Sequence, residues 1–174
     1  MRPHRRSLWK TLNEVTDLIE LLLDCHPQSF RVLLGEVPPP TPEEIHTMME
    51  ARRGHDDAGV PPATSSGVVE AERIVWDTEK FEEVVKAAGG WFHITEICQE
   101  YRKAVPKTWA IVLDHTKYVL ASASRVDESR LSRVARKHGV TKNTVLNYRR
   151  DFPFDLARAI LLSPADGVLT LHSW

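Results

Sequence analysis

The chain lacks the cysteine content of disulfide-rich proteins and the long apolar runs of membrane-spanning proteins. Only two cysteines, Cys25 and Cys98, occur among 174 residues, and their wide separation predicts neither a disulfide framework nor a zinc ligand set. No stretch approaches 18 uncharged apolar residues, so we expect no membrane span. Acidic and amide side chains interrupt the apolar run that follows the basic start, which argues against a secretory signal. We therefore expect a cytoplasmic protein, associated with the nucleoid if the host is a bacterium.

The sequence also lacks the patterns from which catalytic or cofactor sites are built. It contains no glycine-rich phosphate loop. His93, Glu96 and Cys98 lie close together, but three such residues without a second cluster give little support to a metal site. The acidic residues between 70 and 83 have the spacing of a solvated helix face. We therefore predict a protein that is not an enzyme and has no cofactor, no metal and no catalytic residue.

Strict alternation of apolar and polar residues, the signature of a half-buried strand, is absent after Trp91, and helical periodicity takes its place. Apolar residues recur at three- and four-residue steps between Ser7 and Asp24. Thr41 and Glu44 have the spacing of a capping box, which predicts a helix to about Arg52. Further helices are predicted over 28–34, 94–103, 107–122, 127–138, 142–151 and 154–162. The predicted fold class is all-α.

Residues 68–90 predict one long helix or two, with Asp77 or Thr78 as the cap of the second and Gly89-Gly90 as its end. The segment 54–67 is rich in Gly, Pro, Ser and Asp and predicts a flexible linker. We therefore predict an N-terminal helical module over 1–53, a helical domain over 68–163 and a tail over 164–174.

Positive charge is concentrated in one part of a chain whose formal net charge is only -1. Residues 1–100 carry a net charge of -8, residues 101–150 carry +9, and residues 151–174 carry -2. Seven of the 23 residues from Arg130 to Phe152 are Lys or Arg. Such asymmetry favours a polyanionic partner for the basic part, although a solvated helix face would also account for charge alone.

The basic segment also contains the residue types that a helix-turn-helix unit requires. A small residue, Ala135, precedes Gly139 by four positions, and Gly139 can adopt the positive φ that a tight turn needs. Thr141 can cap the helix that follows. The remaining apolar positions are Val134, Val140, Val145 and Tyr148.

This pattern resembles the helix-turn-helix motif of bacterial and phage regulators, of sigma factor region 4 and of recombinase DNA-binding domains. It covers about 22 residues, Leu131 to Phe152, and does not choose among those families. The resemblance implies that the second helix, 142–151, lies in the major groove of double-stranded DNA. It implies base contacts by Lys142, Asn143, Thr144, Leu146 and Asn147, and phosphate contacts by Arg133, Arg136, Lys137, Arg149 and Arg150.

A weaker echo of the motif lies upstream, where Val105 and Lys107 take positions similar to Val140 and Lys142. We favour a core helix there, because Trp109 and its neighbours are too apolar for an exposed recognition helix, and because a three-helix unit needs a helix before the motif.

The apolar stripe between Ser7 and Asp24 has two interpretations. It closes onto the rest of the protein, or it pairs with a second copy or another protein.

Three functions remain open from the sequence. The first is a sequence-specific DNA-binding regulator of transcription. The second is a DNA-binding assembly or adaptor protein of a phage or mobile element, similar to a small terminase subunit. The third is a helical protein-interaction module whose basic face meets an acidic protein.

Overall fold

The structure is a computed structural model that describes residues 5–57, 76–121 and 128–162. These ranges contain only helices and the turns between them, which confirms the all-α class. The helices are α1 (Arg5–Cys25), α2 (Ser29–Leu33), α3 (Pro42–Asp57), α4 (Thr78–Ala87), α5 (Trp91–Ala104), α6 (Pro106–Ala121), α7 (Glu128–His138) and α8 (Lys142–Leu162). None of the helices in the described ranges is long and apolar enough to span a membrane.

The three start and stop signals with clear local chemistry act as predicted. The backbone N–H of Thr41 donates to Glu44 Oε2 at 2.9 Å, and the N–H of Glu44 donates to Thr41 Oγ1 at 3.2 Å, which completes the capping box of α3. Asp77 Oδ1 accepts from the N–H of Lys80 at 2.7 Å at the start of α4. Gly89 and Gly90 end α4 with φ of 100° and 90°, values that glycine adopts without strain.

The helix boundaries that differ most from the prediction are the ends of α3 and α8. α3 continues to Asp57, so the first four residues of the predicted linker are helical, and residues 58–67 of that linker lie outside the described part. The predicted separate helix over 154–162 is wrong, because α8 runs from Lys142 to Leu162 with Pro153 inside it. Proline removes one helical hydrogen bond, but Phe152, Leu156 and Ile160 are buried on both sides of it. Their burial outweighs the lost bond and keeps the helix continuous.

The apolar stripe of α1 closes onto the rest of the chain, the first of its two interpretations. Leu12, Val15, Leu18, Ile19 and Leu22 are buried in the largest hydrophobic cluster, which also contains side chains of α2 to α6 and α8. The N-terminal helices therefore share their core with the later helices. The predicted division at 54–67 into two modules has no counterpart in this packing.

A cluster of aromatic side chains in that core joins α2, near the start of the chain, to α5, α6 and α8. The ring of Phe152 in α8 lies 5.9 Å from Phe30 in α2, 5.6 Å from Trp109 in α6 and 5.8 Å from Tyr101 in α5. Ring pairs at these separations stabilise a core beyond the area that they bury. Phe152 is almost fully buried, so we regard it as the central contact of the shared core.

Polar contacts fasten α1 to its neighbours at the edge of this core. Asp17 accepts two hydrogen bonds from the guanidinium of Arg52 in α3, at 2.7 and 3.0 Å. The indole N–H of Trp76 donates to the same carboxylate at 2.7 Å. Two parallel bonds of this kind fix orientation as well as distance, so α1 and α3 keep one relative position.

Truncation of Phe152 tests whether the core is shared. We expect Phe152→Ala to lower the free energy of unfolding by about 3–5 kcal/mol, because a large aromatic side chain leaves a cavity. Hydrogen exchange should show faster exchange in α1 and α2 as well as in α5 to α8. Phe92→Ala is the control, because the Phe92 side chain is 84% exposed and its loss should change stability little. Faster exchange confined to α5 to α8 would contradict a shared core.

Candidate nucleic-acid interface

The turn between α7 and α8 forms at the predicted glycine. Gly139 has a φ of 65°, and its N–H donates to the carbonyl of Arg136 at 3.3 Å. The N–H of Val140 donates to the carbonyl of Ala135 at 2.9 Å. These two bonds form the Schellman arrangement that commonly ends an α-helix at a glycine. The prediction of a tight turn at Gly139 is therefore confirmed.

The start of α8 is capped from inside the turn. Thr141 Oγ1 accepts from the N–H of Thr144 at 3.1 Å, as predicted for an N-cap residue. The two threonine hydroxyls also lie 2.9 Å apart, within hydrogen-bond distance. Thr144 is half-buried. Its hydroxyl therefore has a local partner in Thr141, whereas the resemblance implies a base contact for the same side chain.

A small apolar cluster holds the two helices against α6. Ile111 of α6 is fully buried in it, together with Leu131, Val134, Ala135 and Val145, while Val140 and Tyr148 pack against its edge. Trp109 and Val112 of α6 are buried in the main core. These positions support the core interpretation of the upstream echo, because α6 packs behind α7 and α8 as the first helix of a three-helix unit.

A carboxylate that the sequence analysis missed fastens the end of α7 to α6. Asp114 Oδ2 lies 2.7 Å from His138 Nε2 and 2.9 Å from Lys137 Nζ. Burial alone would raise the pKa of Asp114, but the hydrogen bonds and charges of Lys137 and His138 outweigh it and hold the pKa below its ordinary value. One sequence signal was available, since Asp114 is the only acidic residue between 101 and 126.

The first half of α8 presents most of the predicted base-contacting residues to solvent. Lys142, Asn143, Leu146 and Asn147 are exposed, while Val145 on the opposite side is fully buried. The helix therefore has one apolar side on the small cluster and one mainly polar side that no described residue covers.

The predicted phosphate-contacting residues fall into two groups. Arg133, Arg136 and Lys137 of α7 are exposed, and so is Arg150, whose Nε lies 3.0 Å from Asp151 Oδ1 on the same helix. Arg149 differs, because its side chain is only 18% exposed and its guanidinium lies 2.6 Å from Asp24 Oδ1 of α1. The phosphate contact of Arg149 stays a prediction.

A buried histidine lies behind α8. His115 of α6 is buried, and neither of its ring nitrogens has a hydrogen-bond partner among the described residues. Burial lowers the pKa of His115 below its ordinary value of 6.5, and the positive charge of Arg149 lowers it further. Both effects favour the neutral form of the ring. Arg149 is itself paired with Asp24 of α1.

The described residues contain no group of three metal-ligating side chains. His93 Nε2 lies 2.8 Å from the carbonyl oxygen of Ile160, and Cys98 is fully buried. Burial raises the pKa of the Cys98 thiol, so this side chain resembles a core residue more than a ligand.

Substitution of Gly139 tests the turn. A Cβ at this position would meet no atom within 4 Å, so only the positive φ opposes a side chain. We expect Gly139→Ala to lower the free energy of unfolding by about 1–2 kcal/mol and Gly139→Val to lower it more. Gly139→Asn is the matched control, because asparagine tolerates this conformation better. Chemical denaturation measures all three, and equal losses for Ala, Val and Asn would contradict the account.

The buried His115 ring predicts a pH dependence. Because its pKa is lowered in the folded state, the unfolded chain binds the proton more readily, so the free energy of unfolding falls as pH drops below 6.5. Denaturation of His115→Leu should show a smaller fall between pH 7 and pH 5 than the parent chain. His26, whose pKa burial also lowers, is present in both proteins and accounts for a remaining fall. Identical pH profiles would overturn this assignment.

Neither protein-family models, nor curated proteins, nor solved structures match this chain. The resemblance therefore rests on the residues of α7 and α8 and on their packing alone.

Proposed function

We propose that this protein binds double-stranded DNA sequence-specifically, as a regulator of transcription, and reads the major groove with the first half of α8. One observation carries the proposal. The polar side of that segment, with Lys142, Asn143 and Asn147, is exposed next to the exposed cations of α7.

The chemistry of the exposed side suits base edges. The major groove admits an α-helix, and asparagine can form two hydrogen bonds with adenine there. Lysine can donate to the O6 and N7 acceptors of guanine. Leu146, which is 42% exposed, offers an apolar surface for the methyl group of thymine. A helix with these four side chains on one side can therefore distinguish base pairs as well as approach them.

The charges around this segment favour a polyanion. No acidic residue occurs between Arg130 and Arg150, and the nearest carboxylates from other helices, Asp114 and Asp24, are each paired with a cation. Residues 1–100 carry a net charge of -8, which repels a duplex from this part of the chain. Attraction at one side and repulsion elsewhere would orient the protein as it approaches DNA.

Self-association, or a protein partner at the N-terminal helices, remains part of the prediction. The part of the α1 stripe from Leu12 to Leu23 is buried and offers no apolar surface for such a contact. Leu8 and Trp9 are the exposed large apolar side chains on α1, and Trp9 packs edge-on against Phe154 of α8 at 6.4 Å.

The salt dependence of duplex binding tests the proposal. Each phosphate contact contributes about -0.9 to the slope of log affinity against log salt concentration. We expect Arg133→Ala and Arg136→Ala each to weaken binding and to reduce the steepness of that slope by about 0.9. Fluorescence anisotropy with a labelled duplex measures both quantities.

Arg31→Ala provides the matched control, because Arg31 is an exposed arginine on α2, paired with Glu36 and outside the α6–α8 unit. Its slope should equal that of the parent chain. Equal slopes for Arg31, Arg133 and Arg136 variants, or the absence of duplex binding at low salt, would contradict the proposal.

A further inference from the structure

α8 changes its packing partner halfway along its length. Val145 in the first half belongs to the small cluster with α6 and α7. Phe152, Leu156 and Ile160 in the second half belong to the main core, and Tyr148 packs against both clusters. The exposed first half is therefore a continuation of a helix whose second half is rooted in the core.

Proline weakens the helix backbone at this change of partner. Pro153 has no N–H, so it cannot donate the helical hydrogen bond to the carbonyl of Arg149. Helices bend most readily where such a bond is missing. The direction of the first half relative to the core therefore needs an additional constraint.

Asp24 of α1 contacts Arg149, the residue whose carbonyl lacks the helical hydrogen bond. Its carboxylate lies 2.6 Å from the Arg149 guanidinium, which is largely enclosed, whereas the Asp24 side chain is 47% exposed. α1 has no basic residue in its last turn, where a negative charge opposes the helix dipole. Arg149 provides the missing positive charge from α8.

The helix that carries Asp24 is itself firmly held. Leu21, Leu22 and Leu23 just before it are fully buried. One turn further back, Asp17 is bonded to Arg52 and to Trp76. A contact from such a support can fix the direction of α8.

We propose that Asp24 is a positioning residue that, through Arg149, fixes the direction of the first half of α8. The consequence for DNA rests on the proposed function: Asp24 sustains discrimination between sequences, and Arg149 is not a phosphate contact. In the opposing arrangement Asp24 competes with phosphate for Arg149, and its removal strengthens DNA binding.

Hydrogen exchange without DNA directly tests whether the contact of Asp24 with Arg149 holds the first half of α8. In Asp24→Asn, the amides of residues 145–148 should exchange faster by up to about fivefold, since the loss of an ion pair of this exposure shifts local equilibria by about 1 kcal/mol at most. The exchanged pair Asp24→Arg with Arg149→Asp should recover part of the protection. Asp151→Asn is the control, because it removes a carboxylate from Arg150 on the same helix and should leave 145–148 unchanged. Unchanged exchange in Asp24→Asn would overturn the inference.

Binding measurements test the role of Arg149. On a duplex selected from a random pool and on its scrambled version, Asp24→Asn should lower the affinity ratio about fivefold, with an unchanged salt slope. Arg149→Met should likewise keep the slope, whereas Arg136→Met should reduce it by about 0.9. Tighter binding of both duplexes by Asp24→Asn, or a reduced slope for Arg149→Met, would contradict the inference. If the parent chain binds no duplex, the proposed function fails, but the exchange experiment still tests whether Asp24 positions α8 through Arg149.

Discussion

The burial of the second half of α8 is the constraint on which the rest of the structure depends. Phe152 lies among Phe30, Tyr101 and Trp109, so helices from both ends of the chain share one core around it. Because α8 is continuous, burial of its second half in that core determines where the first half emerges, within the bend that Pro153 allows. The turn at Gly139 then places α7 beside the emerging half, and Arg133, Arg136 and Lys142 on these two helices are exposed.

The carboxylates near this surface have structural partners, which leaves the exposed charge positive. Asp114 fastens α7 to α6, and Asp24 contacts α8 from α1. Both come from helices other than α7 and α8. The position of the basic surface therefore depends on residues far from it in sequence, and a change in α1 can alter it without changing any residue of α7 or α8.

Local chemistry was predictable from the sequence, and long-range pairing was not. The capping box at Thr41, the cap at Asp77 and the turn at Gly139 each depend on residues within five positions, and each formed as predicted. The continuity of α8 through Pro153 was missed, because only the surrounding core outweighs the local preference of proline. The contact of Asp24 with Arg149 joins residues 125 positions apart, which no spacing rule reveals in one sequence. The exposure of the candidate base contacts followed from helical periodicity, whereas the enclosure of Arg149 did not.

Selection of bound duplexes from a random pool tests the central claim most directly. The account predicts recovery of one consensus sequence by the full chain, and loss of that consensus when Asn143 and Asn147 are both replaced by alanine, with the fold retained. Recovery of no consensus by the parent chain, or of the same consensus by the doubly substituted chain, would contradict the reading of DNA by the first half of α8.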